Sequence, residues 1–380
     1  AFIIGFVWPF IWGTGLSFCK FTTVKNVQFA GLSNYKMILM DDTFTHAFWF
    51  TAAFTVVSTV LVNVLAFAIA LLLTRGMRGT NAFRTIFFLP NLIGGSADLA
   101  PSNKTYIKGR GDFSAETPEG SNLHFGIREQ AMAGIVNGMQ VHGGLQTYAA
   151  TFLVFSDYMK HGIRISALMK LPVLYVLTHD SIGVGEDGPT HQPIEQLAAL
   201  RSMPNVYLWR PADGKEVAAA YAQALKMEGP SCFALSRQNL PLYENSGKEA
   251  MKGGYILSDS KKATPDVILM ASGSEVEQAM DAQKLLADEG IDARVVSMPC
   301  FAIFDAQSEE YKESVLPKAV RARLAVEAAT SFGWHKYVGL DGDVLTIDHF
   351  GASAPAAQLF ERFGFTAQNV ANKAKALLGK

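Results

Sequence analysis

Residues 178–193 read Thr-His-Asp-Ser-Ile-Gly-Val-Gly-Glu-Asp-Gly-Pro-Thr-His-Gln-Pro. Imidazoles beside carboxylates can bind hydroxyls and anionic oxygens and can move protons near neutrality. The stretch follows Leu171–Leu177, an apolar run that predicts a buried parallel strand. His179 then falls at the carboxyl edge of a sheet, where open α/β folds bind ligands. Gly183, Gly185 and Gly188 allow tight turns and close approach to a ligand, and Asp187 and His191 leave the same loop. Glu129, in His124-Phe-Gly-Ile-Arg-Glu-Gln130, opens a helical pattern with apolar Ile127, Ala131, Ile135 and Met139. Taken alone, an acid there is explained by the helix dipole. Phe152, Phe155 and Tyr158 recur three residues apart and would share one helix face, a stripe that suits a core or a flat ring ligand. Arg237 follows the strand-like Ser231–Leu235, and its fork matches a phosphate.

The elements that must hold these residues divide the chain unevenly. Its 380 residues have net charge −1 and 18% charged residues, which predicts two or three domains, but nearly all the charge lies after Arg75. No basic run points to nucleic acid. Cys19, Cys232 and Cys300 have neither disulfide nor metal spacing and fit buried thiols in a reducing compartment. Ala1–Cys19 is an uncharged apolar stretch of 19 residues, and Trp49–Leu73 another of 25, with Asn63 its most polar member. At about 1.5 Å per residue the second is long enough to cross a bilayer, and it lacks a polar stripe. Both are expected to be transmembrane helices; the first has no basic start and no clear cleavage site, unlike a signal peptide. A polar, glycine-bearing boundary falls at 244–252. Beyond it, Asp266–Ser274, Glu275–Asp288 and Ala293–Met298 predict a right-handed βαβ unit; Gly-Ser-Glu at the helix start could bind an anion, but the domain is read as packing and dimer surface. The expected fold is α/β: two parallel or mixed-sheet domains, 92–246 and 247–380, after a membrane segment 1–91 with helices at about 1–19 and 49–73.

The 178–193 loop closely resembles the substrate loop of transketolases. Gly94-Gly-Ser-Ala-Asp-Leu-Ala-Pro-Ser-Asn103, His124–Gln130 and Thr151–Tyr158 resemble the same family, and the resemblance runs from Leu92 to Lys380. It implies a thiamine-diphosphate pyrimidine-binding domain followed by the family's C-terminal domain. Glu129 would then be the catalytic carboxylate that bonds N1′ of the aminopyrimidine. Phe152, Phe155 and Tyr158 would wall that ring, with Asp98 near the cofactor at a subunit interface. Ser102, His179 and Arg237 would hold a substrate phosphate, Asp187 would bond a substrate hydroxyl, and His191 would lie by the ketose C1 and C2. The implied reaction moves a two-carbon ketol unit between sugar phosphates. The family's diphosphate domain, with its Gly-Asp-Gly motif and Mg or Ca, has no counterpart in the sequence; Gly342-Asp343 lies in the wrong domain. No metal ligands are therefore expected, and this chain is expected to be inactive without a homodimer partner or a complementing thiamine-diphosphate-binding domain. The intact 178–193 loop argues against deoxyxylulose-phosphate synthases and pyruvate dehydrogenase components.

Residues 1–93 carry a different resemblance. Gly31-Leu-Ser-Asn-Tyr35, the helix after it, and Phe83-Arg-Thr-Ile-Phe-Phe-Leu-Pro-Asn91 are similar to the start of a sugar ABC-transporter permease. Arg75, Arg78 and Arg84 would lie in the cytoplasm by the positive-inside rule, and so would the soluble part, with inner-membrane attachment through residues 1–75. No coupling loop for an ATPase follows. The two resemblances meet at Leu92-Ile-Gly-Gly95, which implies a chimeric chain; a truncated permease with a foreign soluble tail is the alternative.

Overall fold

The computed structural model describes residues 7–21, 26–74 and 92–380. The chain divides into two units, Ala1–Ile86 and Phe87–Lys380. In the first, Trp8–Ser17 is a helix of 10 residues started by a proline. It ends at Phe18, whose N–H returns to Gly15. The chain then enters an antiparallel pair, β1 (Cys19–Phe21) and β2 (Val27–Phe29). The expected span over 1–19 is corrected accordingly: ten residues rise only about 15 Å, half of a hydrocarbon core. The helix expected at 49–73 runs instead from Asp42 to Thr74. Its earlier start has a local cause, because the Asp41 carboxylate accepts from the N–H groups of Thr43 and Phe44 at 2.8 and 3.1 Å. Within it, Asp42–Leu65 is the one described helix long and apolar enough to cross a membrane, and none of it is buried. Residues 1–6, the cluster Arg75, Arg78 and Arg84, and the entry to a third helix at 85–91 lie outside the described residues.

The second unit holds two sheets. The six-stranded sheet is wholly parallel, in the order β4 (Asn122–His124), β3 (Leu92–Ser96), β5 (Gln146–Phe152), β6 (Leu174–Thr178), β8 (Ser231–Leu235), β7 (Tyr207–Trp209). Every residue of β6 is buried, as its unbroken apolar run requires. Gly94 and Gly95 belong to β3 for a steric reason: a Cβ on either would overlap the carbonyl of Tyr148 or Leu123 on the flanking strands. Helices Glu129–His142 and Ser156–Leu168 pack together on this sheet through Met132, Ala133, Val136, Met159 and Ile163, all fully buried. They run parallel: Ala133 lies against Gly162, and Ser166 donates to Asn137 at 2.6 Å. Glu129 and Tyr158 lie in the first turns of these two helices.

The five-stranded sheet has the order β13 (Asp343–Leu345), β12 (Arg323–Val326), β10 (Val267–Ala271), β11 (Ala293–Ser297), β9 (Tyr255–Ser258), parallel except for β9. Strand β10, helix Val276–Asp288 and β11 form the expected βαβ unit.

Candidate functional site

The loop after β6 begins with a strained turn. His179 has φ +62°, in the left-handed region that non-glycine residues seldom occupy. Its ring stacks on Phe152 with centroids 3.7 Å apart. The contact follows from strand register, since Phe152 at the end of β5 pairs with Thr178 at the end of β6. Phe152 stacks on Phe155 at 5.9 Å and Phe155 on Tyr158 at 6.0 Å. His191 meets Phe155 edge-on at 5.4 Å. The aromatic trio does form a continuous row, but not as a stripe on one helix. Phe152 closes a strand, Phe155 ends a one-turn 3-10 segment, and Tyr158 lies in the first turn of the next helix.

Glu129 opens its helix in a buried position, 7% exposed, and its carboxyl hydrogen-bonds to no described residue. Its oxygens are not among the fully buried unpartnered atoms, so the carboxyl end reaches solvent and is open to an incoming donor. Arg237 and Asp187 are exposed, and His191 is half-buried. Burial lowers the His179 pKa below its ordinary value, reinforced by the Arg237 charge and opposed by Asp180 and Asp187. These four loop and edge residues therefore share one electrostatic neighbourhood. Ser102 is exposed on the short helix Ala100–Asn103. Asp98, with φ +60°, lines a cleft of about 390 Å³ with Ser96, Tyr106, His124 and Gly126. Neither Asp98 nor Ser102 hydrogen-bonds through its side chain to another candidate residue. No group of His, Cys, Asp and Glu among the described residues could hold a metal ion.

Two parts of the sequence reading change here. Gly183, Gly185 and Gly188 were expected to give a ligand close access. Instead a Cβ on Gly183 would press on the Gln238 side chain, one on Gly188 would lie 3.2 Å from Ser353 Cβ, and Gly185 faces Ala354 and Ala356. The loop is glycine-rich so that it can pack against the rest of the unit. The Gly-Ser-Glu turn, whose helix start could have bound an anion, was expected to be part of a packing and dimer surface. It receives a cation, because Ser272, Gly273 and Glu275 wrap the guanidinium of Arg210.

Sequence reasoning missed that cluster. Arg210 is fully buried. Its Nε donates to Asp180 at 2.9 Å and its Nη1 to the Ser272 carbonyl at 2.7 Å and Glu275 at 2.5 Å. Arg201 grips Glu327 through two bonds of 2.6 and 2.7 Å, and Glu327 lies 3.5 Å from Arg210. Burial disfavours the Arg210 charge, but Glu275, Asp180 and Glu327 outweigh it and raise its pKa. The cluster ties the residue after His179 to the five-stranded sheet. No local signal marks it, since its members lie up to 147 positions apart, from Asp180 to Glu327.

A second missed set is a chain of hydrogen bonds behind His179. Ser96 Oγ donates to the Ala150 carbonyl at 3.1 Å and accepts from Asn103 Nδ2 at 2.9 Å. Thr178 Oγ1 lies 2.8 Å from Asn103 Oδ1 and 2.9 Å from His179 Nδ1.

The geometry can be set beside known proteins. Residues 85–242 match the family model "Transketolase, pyrimidine binding domain", and 253–366 match "Transketolase-like TK C-terminal domain". Transketolase of Bacillus subtilis is 56% identical over 297 residues, which are 77% of this chain and 44% of that protein. A crystal structure of Pichia stipitis transketolase in complex with sedoheptulose-7-phosphate has a TM-score of 0.73 and 47% identity, covering 76% of this chain and 43% of that one. A split-gene transketolase, described as an inactive β4 tetramer, has a TM-score of 0.61 and 27% identity, covering 76% of this chain and 93% of that one. The chain thus spans less than half the length of the curated relatives it matches. The pyrimidine-domain match begins at residue 85, so residues 85–93, expected to be permease-like, fall inside the transketolase match, and no comparison supports a permease fusion. The chain carries the pyrimidine-binding and C-terminal domains of the transketolase family.

Proposed function

We propose that residues 92–380 supply one half of a transketolase site, for thiamine-diphosphate-dependent transfer of a two-carbon ketol unit between sugar phosphates. The observation that carries this is the row Tyr158–Phe155–Phe152–His179, with Glu129 opening the helix that packs beside the one bearing Tyr158. Flat faces suit a flat heterocycle, and a solvent-reaching carboxyl with no protein hydrogen bond is available to a ring that brings a donor. When bound, thiamine diphosphate supplies the carbon nucleophile that carries the two-carbon unit. Glu129 holds a proton at N1′ of the aminopyrimidine, and Phe152, Phe155 and Tyr158 orient its ring. Ser102, His179 and Arg237 bind the substrate phosphate, Asp187 bonds a hydroxyl, and His191 lies by the ketose end, with Asp98 by the cofactor. The described residues offer no site for the metal that accompanies the diphosphate, so no step is assigned to it here.

The other half of the site would come from a diphosphate-binding domain or chain. The likeness to a split-gene transketolase described as inactive in its β4 form supports this division. The 380-residue chain with thiamine diphosphate and Mg²⁺ is expected to show no ketol transfer in a coupled assay. Addition of a separately expressed diphosphate-binding half is expected to start turnover. Turnover by the chain alone that disappears in Glu129→Ala would sink the half-site reading.

For the helix Asp42–Leu65 we infer a membrane-spanning role, supported by its length and its exposed, apolar surface. The chain should co-float with lipid vesicles, and a version limited to 92–380 should stay in the aqueous fraction. A full chain that remains aqueous rules the membrane segment out.

A further inference from the structure

The hydrogen bonds behind His179 fix more than its position. In the structure Asn103 Nδ2 donates to Ser96 Oγ, and Ser96 gives its single hydroxyl proton to the Ala150 carbonyl, which also accepts from the Ala97 N–H. Ser96 Oγ then has only acceptor capacity left for Asn103, which orients the amide with Nδ2 toward Ser96 and Oδ1 toward Thr178. Oδ1 cannot donate, so Thr178 gives its proton to Asn103. Thr178 Oγ1 is left as an acceptor, and His179 Nδ1 must carry the proton that joins them. With the Asn103 amide oriented as in the structure, this assignment satisfies every atom in the series; the reverse amide orientation would put the ring proton on Nε2 instead. The neutral ring is therefore the Nδ1–H tautomer, and Nε2 is a bare lone pair with no bond among the described residues.

A bare lone pair repels the oxygens of a phosphate. We infer that His179 captures a phosphate-class oxyanion only by taking up a proton at Nε2, so that anion binding at this mouth is coupled to protonation of His179. The inference rests on the reading of Ser102, His179 and Arg237 as a phosphate site. The charged and titratable groups around the ring are Asp180 beside it, Asp187 and His191 from the loop after β6, and Arg237 from the segment after β8. Burial and the Arg237 charge keep the free ring neutral at physiological pH, and an arriving dianion reverses that preference. Ser96, Asn103 and Thr178 are positioning residues: they act on the ligand only through the proton they hold on Nδ1.

The test uses the full chain in mild detergent and inorganic sulfate, whose charge does not change across the neutral range. Calorimetry in two buffers of different ionisation enthalpy should show uptake approaching about one proton per sulfate, and affinity should fall by about tenfold per pH unit above the free His179 pKa. Side-chain ¹⁵N NMR of the free chain should show His179 as the Nδ1–H tautomer, a readout that needs no variant. Thr178→Val, which keeps the shape and removes the acceptor, should release the tautomer and flatten the pH dependence. Sulfate binding that is independent of pH, or an Nε2–H tautomer in the free chain, overturns the inference alone. Absence of sulfate binding at any pH, or binding unaffected by Arg237→Ala, overturns the phosphate-site reading with it.

Discussion

Arg210→Met is expected to destabilise the folded chain by about 3–5 kcal/mol, the range seen when one partner of a buried ion cluster is removed. The side chain is fully buried and neutralises Asp180 and Glu275 directly, with Glu327 at 3.5 Å. Methionine fills a similar volume, so the loss is one of charge rather than of packing. It leaves three carboxylates with only Arg201 nearby. The pH dependence separates this cause from a cavity. In the wild type, burial would raise the Glu327 pKa, but Arg201 and then Arg210 hold it down to about 2. Its contribution is therefore full above the usual 4.5 and is lost as the pH falls toward 2. Glu275 moves the other way: burial outweighs Arg210 and raises it, so its contribution is present below 4.5 and is lost as the pH rises through its higher folded value. Without Arg210, Glu275 and Glu327 both shift upward. The deficit of the variant should be greatest at pH 8 and smaller at pH 5, where protonation relieves the unpaired charge. Urea unfolding at the two pH values measures both terms. An equal deficit at both would mean that lost packing, not charge, explains the effect.

Arg210 also marks where the sequence stops being legible. The strand under His179 was readable because a buried parallel strand must be apolar throughout, and Leu174–Thr178 is buried throughout. Strand β8, the helix from Glu129 and the βαβ unit after Asp266 were readable for similar reasons of period and length. Long-range polar partners leave no such trace. Asp180 looks like one more loop acid until β7 brings Arg210 beside it, and Gly273 looks like an anion-binding turn until that guanidinium fills it. Asn103 looks like a helix end, although its amide orients the ring after Thr178, 75 positions away. The aromatic trio shows the converse. Its spacing of three suggested a helix face, and the rings do meet, but because β5 passes through a 3-10 turn into the next helix. At the amino end, hydropathy located the long helix and not the short one, since the composition of Ala1–Cys19 gives no sign of the turn at Phe18 or the strand pairing of Cys19 with Phe29.

Glu129→Gln should lower turnover of the enzyme completed with a diphosphate-binding half by about 10²–10⁴-fold, the usual contribution of a positioned proton donor or acceptor. The amide keeps the size of the side chain and can still hydrogen-bond, but it cannot hold and release a proton at N1′. The loss should therefore fall on kcat, with KM for the ketose phosphate little changed, because the residues proposed for the phosphate, Ser102, His179 and Arg237, are left intact. Folding should be unaffected. The Glu129 carboxyl hydrogen-bonds to no described residue, so replacing it strands no donor, and a neutral amide is easier to keep in a 7% exposed position than a charge. A thermal midpoint within the scatter of ordinary surface variants, together with collapsed turnover, is the expected pair of results. A variant that retains turnover within tenfold removes Glu129 from the chemistry. A variant that loses turnover and midpoint together makes it a structural acid, whose partner would then have to be sought outside the described residues.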